Sequence, residues 1–300
     1  MSLWIPVTIA AASFQTVRFM LQKVLSASTL SPAGATFSRF AYSMPLVLVG
    51  LFTYLVISGR SLPTLTPAFW GFAAIGGTAQ ILATICVVAL FKQRNFAVGI
   101  TFKKTEVIQT ALVGLVVLGD TISLGGWLAI LIGLAAVLVL SKSPSGEGPW
   151  WRHLTNRASR LGLGSGILFA FSAVSYRGAS LQLHDLEPVF RAAITLAAVV
   201  SLQALGMAAW LAARDRAQLV AVWDARKVGL WVGLTSLGGS FCWFLAFTLQ
   251  NAAYVKALGQ VELLLSLLAT VLFFRERVSS REVLGMGLLC LSILALILTI

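Results

Sequence analysis

From near its first residue to its last, this chain is a succession of apolar runs about 20 residues long. Each is enough to cross roughly 30 Å of hydrocarbon as a helix. Short polar connections separate the runs and leave almost nothing for a soluble domain. Composition agrees: of 300 residues, 58% are hydrophobic and 11% charged, with a mean hydropathy of +0.92, outside the range of soluble globular chains. The chain reads as an all-α integral membrane protein. Its start, MSLWIPVTIAAASF, enters an apolar run with no basic segment before it and no small-residue cleavage site. A removable signal peptide is therefore not expected. Cys86, Cys242 and Cys290 lie inside apolar runs as small hydrophobes, with no disulfide or metal spacing.

Ten spans are predicted: 3–22, 34–57, 68–91, 96–118, 122–140, 161–181, 187–213, 228–249, 252–274 and 281–299. An even number puts both termini on one side. The connection 141–160, SKSPSGEGPWWRHLTNRASR, is rich in Pro, Gly and Ser and then basic, as a linker between halves 1–140 and 161–300 would be. The net charge of +12 belongs to the short loops rather than to nucleic-acid binding. Connections after odd-numbered spans hold Lys23; Lys92, Arg94; Lys142, Arg152, Arg157, Arg160; Arg214, Arg216, Arg226, Lys227; and Arg275, Arg277, Arg281, against Arg60 alone opposite. That asymmetry predicts cytoplasmic odd loops and both termini outside.

The second half repeats the first at a distance of 156 residues: Cys86 falls on Cys242, Asn95 on Asn251, Glu106 on Glu262 and Asp120 on Glu276. Five helices per unit is an odd number, so the second copy enters the membrane from the opposite side. The expected architecture is two inverted five-helix repeats, a plan used by many transporters.

Seven basic residues remain within spans: Arg18, Arg39, Lys103, Lys104, Arg177, Arg191 and Lys256. In GITFKKTEVIQTALVG, Gly99 to Gly114, Lys103 lies roughly 10 Å and Glu106 roughly 15 Å into the span. Charges at that depth face protein or a water-filled cavity. Lys103 and Glu106 share a helix face, whereas Lys104 has no obvious local partner and is the candidate for a solute carboxylate. In AAYVKALGQVELLLS, Lys256 and Gln260 share a face, and Glu262 is the counterpart of Glu106. Trp243 and Tyr254 offer stacking or cation-π surfaces. Gln15 and Gln80 can bond an ammonium or a carboxylate. Each of these residues could equally serve only interhelical packing. Arg18 and Arg39 are expected nearer the cytoplasmic side, and Arg191 is expected to pair with Glu187. Glycines at 76, 77, 164, 166, 238, 239, 285 and 287 would let helices approach and slide.

In KTEVIQTALVGLVVLGDTISLGGWLAILIGLAAVLVL and QVELLLSLLATVLFFRERVSSREVLGMGLLCLSILALIL the chain resembles the paired signature of EamA-type drug/metabolite transporters. A glutamate, an apolar stretch, an acidic residue near the turn and a glycine-bearing helix carry it. SPAGATFSRFAYSMPLVLV is similar to the family's proline followed by arginine. Val107 and Leu263 stand where the family often has proline. The narrower resemblance is to bacterial inner-membrane exporters of aromatic amino acids, also associated with efflux of methyl viologen. The resemblance implies a secondary exporter of aromatic amino acids and related amphipathic solutes, with lipid and a small solute as partners, no cofactor, and a unit able to work as a monomer. Threonine or homoserine, purines and cationic drugs are the alternative solutes. A membrane-embedded transferase is the distant alternative, since His153 and His184 lie in loops without companion nucleophiles.

Overall fold

The computed structural model describes residues 2–28, 30–90, 103–140, 157–265 and 280–298. Eleven helices are described: α1 (Trp4–Ser28), α2 (Pro32–Ser58), α3 (Pro67–Leu90), α4 (Glu106–Leu118), α5 (Leu124–Leu140), α6 (Arg157–Leu181), α7 (Pro188–Arg214), α8 (Arg216–Asp224), α9 (Arg226–Leu249), α10 (Ala252–Leu258) and α11 (Ser280–Leu298). No strand occurs among the described residues. The linker as far as Asn156, the start of the fourth predicted span, Glu276 and Ser279 lie outside them.

Local chemistry sets the ends. Ser31 caps α2 by accepting from Gly34 N at 3.0 Å, and Pro32 takes the first helical position, where no N–H is needed. Pro188 opens α7 in the same way, at the 156-residue distance from Pro32. Thr66 Oγ1 accepts from Phe69 N at the head of α3, and Asn251 Oδ1 from Ala253 N at the head of α10. Gly59 and Gly119 stop α2 and α4 in the left-handed region, φ 65° and 68°, where a Cβ would be strained.

α2, α3, α6, α7 and α9, of 24 to 27 residues, are long and apolar enough to cross a membrane, and α4, α5 and α11 carry shorter apolar stretches. Large apolar side chains cover the outside; Ile57, Val116 and Leu124 are 81%, 84% and 78% exposed. Such a surface suits lipid rather than water. The chain is a multi-pass membrane protein.

The two halves interleave. α1 packs along α9 and α3 along α6; α2 meets α9 and α3 meets α7; α5 lies against α11. Shifted by 156 residues, each of the first two pairings maps onto the other, as do the next two. Gly76 lets α3 reach α6, because a Cβ there would lie 2.8 Å from Tyr176 Cε1. Gly164 and Gly287 were expected to serve similarly, but both face open space.

Other expectations change in three dimensions. α8 forms in what reads as a loop; nine residues are too few for a span, yet Val222 is buried and its carbonyl accepts from Tyr42 Oη at 2.7 Å. Arg191 does not pair with Glu187: its Nε donates to Ser180 O, and Glu187 instead bonds Arg60 across the halves at 2.9 Å. Arg177 clamps Asp120 through Nε at 3.0 Å and caps the end of α9 through the Phe247 and Gln250 carbonyls.

Candidate functional site

Two backbone interruptions organise the centre. Lys103 is helical, Lys104 and Thr105 form a turn, and α4 begins at Glu106; likewise α10 stops at Leu258, Gly259 and Gln260 turn, and helix resumes at Val261. The ninth predicted span is therefore broken, without a proline. At the second break Gly259 lets the backbone approach Trp243, since a Cβ there would stand 2.6 Å from Trp243 Cη2. The freed groups are recovered locally, Gly259 N bonding Val255 O at 2.9 Å and Glu262 N bonding Gly259 O at 3.2 Å.

The breaks bring five ionic side chains of α4 and α10 and their flanks together: Lys103, Lys104, Glu106, Lys256 and Glu262. Glu106 Oε1 lies 3.8 Å from Lys256 Nζ and Oε2 lies 3.9 Å from Lys103 Nζ. At those separations no hydrogen bond forms, and Glu106 Oε2 is buried without one. Lys104 is not the free ammonium the sequence suggests, because it pairs with Glu262 of the other half. Glu262 also accepts from Gln15 Nε2 at 2.9 Å. Lys103, Lys104, Glu106 and Lys256 are all buried. Removing such ions from solvent costs several kcal/mol each, which only close opposite charge offsets.

Aromatic rings flank this cluster. Lys256 Nζ stands 5.0 Å from the Trp243 ring centroid and 5.3 Å from that of Phe169, and Trp243 stacks on Phe247. Tyr176 stacks on Phe244 with centroids 4.3 Å apart. Its hydroxyl donates to Gln80 Oε1 at 3.0 Å and accepts from Gln203 Nε2, which also donates to Gln80 Oε1. Trp243 Nε1 is buried with no hydrogen-bond partner.

A central cavity of about 20 Å³ is lined by Gln15, Arg18, Arg39, Gln80, Phe169, Ser172, Ala173, Tyr176, Ser240, Trp243, Phe244, Phe247 and Lys256. That is space for about one water molecule, so a solute of amino-acid size needs these side chains or their helices to move. Of the residues singled out in the sequence, Gln15, Gln80, Trp243 and Lys256 meet at this cavity. Lys104 and Gln260 line a smaller void of about 10 Å³ beside α5 and α11. Tyr254 lies elsewhere: its hydroxyl accepts from Ser123 N at 3.0 Å and its ring packs on Gly126 at the head of α5.

Arg18 and Arg39 are the residues sequence reasoning missed. Expected near the cytoplasmic side, both are 2% exposed and line the cavity. Arg39 is held by hydroxyls, Ser236 at 2.9 Å and Ser240 at 3.1 Å. The signal in the sequence was numerical: seven span-interior cations against two mid-span carboxylates leave several cations without a partner. Phe169, Ser172, Ala173 and Tyr176 were missed too, although their spacing along α6 is that of one helix face.

The second half carries a likeness to a known family. Residues 158–298 match the EamA-like transporter family. This EamA-like segment holds α6 to α11, including Tyr176, Trp243, Lys256 and Glu262. The family implies a membrane transporter of the drug/metabolite type. A solved chain described as "Crystal structure of protein" has the same overall fold, with a TM-score of 0.68 at 14% identity, covering 100% of this chain and 98% of its own. No curated protein matches the sequence.

Proposed function

We propose that this protein is a secondary transporter that exports aromatic amino acids and related amphipathic solutes across the bacterial inner membrane by alternating access. It acts as ten transmembrane helices in two inverted five-helix repeats, 1–140 and 161–300 joined by a cytoplasmic linker, with both termini periplasmic. The observation that carries the reading is the small cavity lined both by the rings of Trp243, Phe244, Phe247 and Tyr176 and by the cations of Arg18, Arg39 and Lys256. Rings offer stacking to a ring-bearing solute, and the cations attract its carboxylate. Cationic drugs fit less well, since among the described residues no carboxylate lines the cavity.

The reciprocal packing of α1 on α9 and α3 on α6, and the paired breaks before Glu106 and Glu262, support the repeat. Helix breaks flanking a central site are a recurring transporter device. The EamA-like match of the second half supports transport rather than enzymatic chemistry. The test is uptake of labelled phenylalanine, tryptophan and threonine into liposomes holding the purified protein, with and without a pH gradient. Saturable movement of the aromatic solutes, inhibited by unlabelled solute, is expected; threonine moving as fast would remove the aromatic preference. The response to the gradient reports proton coupling.

A further inference from the structure

Among the described residues, three basic side chains face the central cavity and no acidic one does. Lys256 has Glu106 behind it. Arg18 and Arg39 have no such counter-charge: among the described residues neither forms an ion pair. Arg39 is bonded to hydroxyls of Ser236, Ser240 and, at 3.5 Å, Thr84. Arg18 Nε is buried with no hydrogen-bond partner, and its guanidinium lies 4.7 Å from the Phe19 ring centroid. A guanidinium cannot shed its proton readily and presents five donors in a planar fork suited to an oxyanion. Two of them buried beside one cavity, with no carboxylate paired to either among the described residues, are costly. An anion bound between them removes that cost.

We propose that Arg18 and Arg39 seat the acidic group of the solute, and that the preferred solutes are ring-bearing organic anions without an ammonium group. The inference rests on the transporter reading above and moves its preferred solutes from aromatic amino acids to the related ring-bearing acids that lack the ammonium. The rings of Trp243, Phe247 and Phe169 take the solute's aromatic part beside Lys256. An amino acid brings an ammonium as well as a carboxylate. In this cavity the ammonium meets like charges from Arg18, Arg39 and Lys256, with only amide, hydroxyl and ring groups to receive it, and like-charge juxtaposition is penalised. A keto acid of the same ring and length makes the carboxylate contact without that penalty.

The experiment compares counterflow of three probes in liposomes carrying the full-length protein: phenylpyruvate, phenylalanine and phenyltrimethylammonium. The expected order of kcat/KM is phenylpyruvate, then phenylalanine, then the cation, with the first about tenfold or more above the second. Arg18→Gln should lower phenylpyruvate transport by about tenfold and lower the ratio of phenylpyruvate to phenylalanine, and Arg18→Lys should recover part of both. This position suits the test because its Nε has no hydrogen bond to lose, and the probe order in the unaltered protein decides the matter even if the variant does not fold. Phenylalanine moving as well as phenylpyruvate would overturn the anion preference while leaving the transporter reading intact. An unchanged ratio in Arg18→Gln would overturn the seat at Arg18. No movement of any probe beyond empty liposomes would overturn both readings.

Discussion

Lys256 Nζ stands 3.8 Å from Glu106 Oε1, and Lys104 reaches Glu262, so each glutamate faces a lysine contributed by the opposite half of the chain. The two halves are thereby locked at the level where both helices break. In the alternating-access cycle proposed above, movement between inward-open and outward-open forms has to loosen these crossings, and the 3.8 and 3.9 Å separations around Glu106, too long for hydrogen bonds, make that carboxylate the easier one to re-partner.

The Lys104 and Glu262 pair is expected to be strongly coupled. Lys104→Met should destabilise the protein by about 3 kcal/mol, because a buried carboxylate loses its ammonium. Adding Glu262→Leu should recover part of the loss, since the charge needing compensation is then gone. Unfolding of the two single variants and the double variant in detergent forms the double-mutant cycle. Losses that simply add would show that the pair is not coupled.

Gly259→Ala should cost about 1–3 kcal/mol through overpacking against Trp243, given the 2.6 Å that a Cβ would have to Trp243 Cη2. Trp243→Phe in the same chain should relieve most of the cost by removing that ring atom. Thermal unfolding of the single and double variants checks it, and a double variant as unstable as Gly259→Ala alone would place the strain elsewhere.

The exposed pair Arg60 and Glu187 joins a loop of each half, Arg60 Nη2 donating to Glu187 Oε1 at 2.9 Å. That hydrogen bond first, and Arg60's charge second, hold the Glu187 carboxyl below the ordinary carboxylate range. A depressed acid contributes stability at neutral pH that is lost as pH falls through its folded-state value. Glu187→Gln should therefore be less stable than the unaltered protein at neutral pH, and the gap should close as pH falls through the lowered carboxylate range. Being exposed, the contribution should shrink with salt. Unfolding midpoints across pH at two salt concentrations measure both effects; a gap that widens in acid would contradict the pairing.

Tyr254→Phe removes only the hydroxyl that accepts from Ser123 N. A stability loss of about 1 kcal/mol is expected, with KM for any transported ring solute unchanged. A rise in KM without a loss of stability would return Tyr254 to the solute's path.

The positions of the described helices were largely legible because their signals are local. Apolar run length marks a span, and Ser31 with Pro32, Pro188, Gly59 and Gly119 announce ends through capping and φ restriction that need no tertiary partner. α8 was not legible: RAQLVAVWD is short and weakly apolar, and its helix is supported by Tyr42 and by Gln218, which accepts from Ser31 N. Nor were the breaks at Thr105 and Gly259, since neither glutamate is followed by proline.

The sequence by itself determined that this chain lives in a membrane, that matching residues recur 156 positions apart, and that Lys103, Lys104, Glu106, Lys256 and Glu262 cannot face lipid, because hydrocarbon tolerates apolar helices and rejects charge. Only the tertiary structure decided which charge meets which. Lys104 found Glu262 across 158 residues of chain, and Arg18 and Arg39 turned toward a cavity rather than toward the membrane edge. Helical periodicity says which residues share a face, but a face acquires its neighbours only from the packing of other helices against it.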